Sequence, residues 1–199
     1  MARRRATSNT EPQITQMPTQ TMAVVQTVGD PNVAAADALH ALYGSVYTLK
    51  FELKKKGRDF VATGLRARWP NAHLAPKEQW IGIWGLPIPD GTRALPQKAP
   101  GVKVTIEKWR YGKIAQILHL GPYAAEMPTV QRLHQFIAES GYEIAGAHEE
   151  EYLTRPTARV PKTIIRYPIK KKRGARRRAP TEALAPRRGA PRREVRGTG

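Results

Sequence analysis

Three consecutive acids, Glu149, Glu150 and Glu151, stand between His148 and Tyr152 in a chain of 199 residues that carries 34 Lys and Arg against 16 Asp and Glu. In a strand, alternate side chains leave on opposite faces, so this segment puts His148, Glu150 and Tyr152 on one side and Glu149, Glu151 and Leu153 on the other. The first set joins an imidazole, a carboxylate and a phenol. A carboxylate held among rings is desolvated, its pKa rises, and it can bind a cation or act as a general acid or base. Glu150 is therefore the candidate charged group, and the candidate catalytic residue if the protein is an enzyme. The second set reads mostly as solvated charge, because glutamate is seldom buried.

Rings that could wall such a site are available. Trp69, Trp80, Trp84 and Trp109 all fall in segments that read as strands. Trp80 and Trp84 share a face, and Gly82 between them leaves room for a flat ligand against the indoles. With Trp69, Tyr152 and His148 added, the set suits a hydrophobic or cationic, planar small molecule; plain core packing is the competing reading for each tryptophan. The five histidines, His40, His73, His119, His134 and His148, are isolated in sequence, so no metal is expected. No P-loop or dinucleotide fingerprint calls for a cofactor, and none is expected. The lack of cysteine removes disulfides, thiolate nucleophiles and Cys-based metal sites.

These residues must be positioned by a domain that the composition places between two unusual ends. Residues 1–20 and 169–199 together carry +12 of the net +18. Neither end has an apolar period that could offset chain entropy, so 1–20 reads as a disordered arm and 170–199 as a disordered basic tail. Lys170, Lys171, Lys172, Arg173, Arg176, Arg177 and Arg178 in that tail are the candidates for nonspecific, salt-sensitive binding to nucleic acid; a solubilising tail is the other reading. No secretory signal or membrane span is visible, and a cytoplasmic location is expected.

Within 21–169, the pattern predicts a strand over 21–29, a helix from Val33 to about Lys56, and strands over 58–69 and 79–86. A proline-rich connector over 87–101 follows. Residues 102–110 and 113–121 read as a hairpin turning at Tyr111-Gly112. A second helix over 126–140 carries Val130, Leu133, Phe136 and Ile137 on one face and ends at Gly141. Strands over 142–153 and 162–168 close the domain. Strand, helix, strand, strand thus occurs twice, which predicts a pseudo-twofold α+β domain: a curved antiparallel sheet, helices on one side, and a central cleft between the halves.

The stretch 117–169, with "LHLGPY", "LHQFI", "GYEIAG", "EEYL" and "IRYPI", resembles the second half of the GyrI-like small-molecule-binding domains, the module also fused as an effector-binding domain to AraC-type and MerR-type regulators. Together with 29–57 it is similar to the stand-alone bacterial members. The resemblance implies two strand-helix-strand-strand modules and an aromatic cleft whose acid, from the strand before the last, falls on Glu150. It also implies a second activity, since some stand-alone members are hydrolases that open cyclopropane rings of DNA-alkylating natural products with tryptophan and glutamate. Where such relatives carry an acid followed by Gly-Leu-Trp-Trp, this chain has Thr63, Gly64, Leu65, Arg66 and Ala67, which changes the cleft lining or shifts the aromatic to Trp69. The basic tail lies outside the family pattern. Three functions are thereby in view: a small-molecule binder, a hydrolase using the same cleft, and a nucleic-acid-tethered protein acting on a partner such as a topoisomerase.

Overall fold

The computed structural model describes residues 10–62 and 64–173. Nine strands form one curled antiparallel sheet, and three helices cover one of its faces. In chain order these are β1 (Gln13–Met17), β2 (Gln20–Val28), α1 (Pro31–Ala34), α2 (Ala36–Lys55), β3 (Arg66–Trp69), β4 (Ile81–Pro87), β5 (Thr105–Trp109), β6 (Gly112–Leu120), α3 (Met127–Glu139), β7 (Tyr142–Ile144), β8 (His148–Tyr152) and β9 (Lys162–Lys171).

The sheet order β1-β6-β9-β8-β3-β4-β2-β5 is symmetric about the β8/β3 pair. The unit β2-α2-β3-β4 on one side is matched by β6-α3-β8-β9 on the other, which is the duplication expected from the sequence. Ala38, Ala41, Leu42, Val46 and Leu49 of α2 bury against β2, β3 and β4. Val130, Leu133 and Ile137 of α3 bury against β6 and β9. Two cores therefore lie side by side on the helical face, and the gap between α2 and α3 opens over β3 and β8.

Several elements differ from the sequence expectation. The arm read as disordered over 1–20 supplies β1, whose Ile14 packs on the α3 core. The hairpin expected at Tyr111-Gly112 does not form: β5 pairs with β2, whereas β6 pairs with β1 and β9. One register runs through both pairings, from Gln13↔Gln116 to Val24↔Thr105, so 13–24 and 105–116 make one long antiparallel ribbon that joins the two ends of the sheet. Of the strand expected over 58–69, the described residues form β3 at Arg66–Trp69; just before it the Leu65 carbonyl accepts from the Tyr152 N–H (2.9 Å), and further back Lys50 holds Asp59 and the Phe60 carbonyl. The strand expected over 142–153 breaks at 145–147. Pro168 in β9 has no N–H to donate there, and only the Ala145 N–H to Pro168 carbonyl bond remains (2.8 Å).

Candidate functional site

The gap between the helices is a cleft of about 1530 Å³, larger than the few hundred to a thousand of a usual small-molecule site. β8 supplies its charged floor. The register Ala67↔Glu150 and Glu150↔Ile165 sets Glu150 between two apolar neighbours, and it is only 6 % exposed. His148, two residues earlier on the same face, gives Nε2 to Glu150 Oε1 at 3.0 Å and sets Nδ1 2.6 Å from the Tyr167 hydroxyl. Because a carboxylate only accepts, Nε2 carries the hydrogen, and in the neutral ring Nδ1 accepts from Tyr167. The imidazole is thereby fixed from both sides.

A second acid meets this pair. Glu126, in the residue before α3, lines the cleft, and its Oε2 is buried with no hydrogen-bond partner. Burial, and then the charge of Glu150, push its carboxyl up from the ordinary 4.5 to about 7, against the opposing effect of His148. One ligand atom each from Glu126, His148 and Glu150 lies within 4.8 Å of the other two, a donor set of a kind that holds divalent cations. The isolated spacing of the histidines gave no sign of it.

Rings wall the rest. Trp69 meets Trp84 edge-on at 5.2 Å and Trp80 at 5.8 Å; Trp84 stacks beside Tyr152 at 6.4 Å, and Tyr152 meets Tyr123 at 5.3 Å. The Trp80 indole N–H donates to the Ala75 carbonyl (3.0 Å) and that of Trp84 to Thr27 Oγ1 (2.9 Å), which locks both rings. Burial, followed by the charge of Glu150, raises the pKa of both Tyr152 and Tyr123, so both phenols stay neutral, and a hydrogen bond to Glu150 adds to the effect at Tyr152. Tyr43 and Tyr47 of α2 continue the wall outward to the mouth.

The structure thus brings Glu150, Tyr152, His148, Trp69, Trp80 and Trp84 to one cleft, with two corrections of detail. Gly82 does not leave room for a flat ligand: a Cβ there would lie 2.9 Å from Trp84 Nε1 and 3.1 Å from Trp69 Cζ3, so the indoles themselves fill that space. Trp69 and Trp84 are 6 % and 5 % exposed and form the base of the wall, whereas Trp80 is more open.

The opposite face of β8 is the larger correction. Glu149 and Glu151, read as solvated charge, sit in a buried ionic cluster. Arg166 reaches Glu149 (3.0 Å) and Glu151 (2.6 Å), Arg68 reaches Glu149 (2.7 Å), and Arg66 lies against Glu151 and donates to Tyr111 (2.8 Å) and Gln20. Arg68 also stacks over Trp109 at 3.8 Å, so that tryptophan belongs to this face. Arg66 therefore does not line the cleft, and Trp69 supplies the ring from β3. Thr63 lies outside the described residues.

Lys170 and Lys171, expected to begin the disordered tail, instead end β9 in pairing with β7: Lys170 pairs with Glu143 (3.2 Å) and Lys171 lies over the Tyr142 ring (4.2 Å). Lys172 and Arg173 end the described chain, and Arg176, Arg177 and Arg178 lie outside the described residues. Among the described residues no helix is long and apolar enough to cross a membrane.

Sequence reasoning missed Glu126, Tyr123 and Tyr167. The acid just ahead of Met127-Pro128 reads as ordinary helix-start chemistry, and only the fold turns it toward Glu150.

Residues 10–169 match the family model of the GyrI-like small molecule binding domain. Among solved structures, an uncharacterised conserved protein of Listeria innocua is similar at 24% identity and a TM-score of 0.73, over 82% of this chain and 94% of that one. A hydrolase of Listeria innocua is similar at 24% identity and a TM-score of 0.69, over 83% and 94%. The EcmrR C-terminal domain follows at 11% identity and a TM-score of 0.55, over 81% and 98%. No curated protein matches.

Proposed function

Because the chain belongs to the GyrI-like family of small-molecule-binding domains, we propose that its cleft holds a planar, hydrophobic small molecule and sets a cationic group of that molecule against Glu150. The observation that carries this reading is a carboxylate nine-tenths buried on the floor of an aromatic-walled cleft, beside a second carboxylate. Rings supply contact area and cation–π attraction, and Glu150 supplies charge where water is scarce. Proflavine, a planar cation, tests it against acridone, a neutral ring system of similar size. Glu150→Gln is expected to weaken proflavine roughly tenfold to hundredfold, the range of a hydrogen bond to a charged group, and to leave acridone nearly unchanged. Equal weakening of both would remove the charge role.

The Glu126–Glu150 pair supports a second reading, a hydrolase. Glu126 holds its proton up to about pH 7 and serves as general acid beside Glu150 as base. In ring-opening hydrolysis, water would form a C–O bond as a strained C–C bond breaks. Glu150 would take the proton from water, and Glu126 would give one to the atom that keeps the broken bond's electrons. The product gains the mass of one water, and this gain should vanish in Glu150→Gln. The hydrolase of Listeria innocua shares the fold of this chain.

The arginine-rich segment after Arg173 supports a nucleic-acid contact as a further part of the proposal. Retention on DNA should fall steeply with salt and disappear when 174–199 are removed.

A further inference from the structure

The floor of the cleft, where Glu126 and Glu150 meet, is acidic in a strongly basic chain, and the basic part of that chain starts close to it. Twenty-six residues follow Arg173, with eight arginines against Glu182 and Glu194, and otherwise only Ala, Pro, Gly, Thr, Leu and Val. None of these side chains is bulky beside the arginines. The chain leaves the sheet at Lys171, two residues beyond Ile169, whose strand partner Ile144 stands on the cleft rim.

We propose that segment 174–199 of this same chain occupies the cleft, with arginine guanidinium groups set against Glu126 and Glu150 and over the rings at the mouth. The inference rests on reading the cleft as a cation site, and adds what fills it when no small molecule is bound.

Three observations carry it. The first is chemical fit: guanidinium is planar, forks toward carboxylates and stacks on aromatic faces, and here two carboxylates stand beside Tyr152 and Tyr123. The second is exposure: among the described residues, Tyr43, Tyr47 and Tyr123 line the cleft with 37 %, 42 % and 36 % of their surface open. Two cations, Lys77 and Arg155, also line the cleft; Lys77 is held by Asp30 at 3.0 Å, and the two acids stand together at the floor.

The third is reach. From Arg173 back to Tyr167 in the cleft is six residues, of which 168–171 lie in β9, so the distance is at most roughly 20 Å at the strand rise. The fourteen residues from Arg173 to Arg187 can reach at most roughly 45–50 Å, more than twice that distance. A tether that can span its site gives an effective concentration up to the millimolar range, so even a weak arginine–carboxylate contact would hold the tail in place for much of the time.

Three proteins are compared: the full chain, the chain ending at Arg173, and the full chain with all eight arginines of 174–199 changed to Gln. The last guards against a truncation that merely disturbs β9. Indole N–H signals of Trp69, Trp80 and Trp84 are followed by NMR, with Trp109 on the opposite face as internal control. Affinity for proflavine is measured alongside.

Expected are shifted Trp80 and Trp84 signals and an unmoved Trp109 signal in the full chain relative to the other two. Proflavine should bind the full chain roughly threefold to tenfold more weakly. Both differences should shrink at about 500 mM salt and vanish when Glu126 and Glu150 are both Gln. Identical indole signals in the three proteins overturn the proposal, and so does a difference that survives the double Glu→Gln change, since the tail then acts elsewhere, on nucleic acid or another face. Proflavine binding all three equally, with no indole shift, removes the tail and keeps the cleft as a small-molecule site. Indole shifts without any proflavine binding keep the tail and remove that site.

Discussion

Glu126 gives the domain a pH dependence whose sign and size follow from its surroundings. In the native state its carboxyl holds a proton to about pH 7, because burial and Glu150 both oppose its charge; in the unfolded chain it ionises near the ordinary 4.5. Between those values the unfolded state binds fewer protons, so stability falls as pH rises, and it levels off above about 7. At about 1.4 kcal/mol per tenfold in proton affinity, the full gap is roughly 3 kcal/mol. Glu126 keeps some contact with solvent, and water screens part of this, so about 2 kcal/mol is expected. His134 works the other way. Burial, and then His148, lower its pKa, so its contribution rises with pH in the overlapping window. The test is therefore a difference: urea unfolding of the wild type and of Glu126→Gln at steps from about pH 5 to about pH 8. Gln carries no titration, and His134 cancels. The variant should gain about 2 kcal/mol on the wild type across the range, or roughly 4–8 °C in Tm for a domain of this size. A difference that stays flat with pH would show that Glu126 ionises freely and would refute the reasoning.

Two further outcomes follow from the far face of β8 and from its edge. Arg166→Met leaves Glu149 and Glu151 short of their shared partner inside the sheet, and should cost about 3–5 kcal/mol in chemical denaturation; a loss under about 1 kcal/mol would mean that Arg68 and Arg66 take over. Gly64→Ala places a Cβ 2.5 Å from the Tyr152 carbonyl oxygen, a backbone atom that cannot swing aside, so a loss of about 1–3 kcal/mol is expected together with weaker proflavine binding as β8 is pushed off its place. Stability and binding unchanged in that variant would mean that the Gly64 backbone shifts to make room for the methyl group.

Much of the site was legible because it depends on period. The two-residue alternation of β8 put His148, Glu150 and Tyr152 together before any fold was known, and the duplicated strand-helix-strand-strand pattern placed the cleft between the halves. What stayed hidden depends on which strands become neighbours. Glu149 and Glu151 read as solvent-facing because the sequence shows one strand at a time. Their arginine partners come from β3 and β9, 81 and 17 residues away from Glu149. Glu126 was hidden for the same reason, since a carboxylate at a helix start is ordinary until α3 is laid beside β8. The expected hairpin failed because Tyr111-Gly112 carries a local turn signal, with Gly112 at φ 67°, while the competing pairing with 13–24 lies almost a hundred residues away in the chain.

That ribbon ties the order of synthesis to the order of folding. Residues 13–24 leave the ribosome first, but the strand that completes them, 105–116, follows only after the whole first module. Until then β2 lacks one neighbour and β1 has none, and the first half presents open strand edges of the kind that pair with other chains. The first half should therefore be the aggregation-prone intermediate, and the second half its intramolecular chaperone. Pairings this distant in sequence also make for slow folding, so a chain stopped before residue 105 should be recovered as insoluble material while the complete domain refolds on a timescale of milliseconds to seconds or longer.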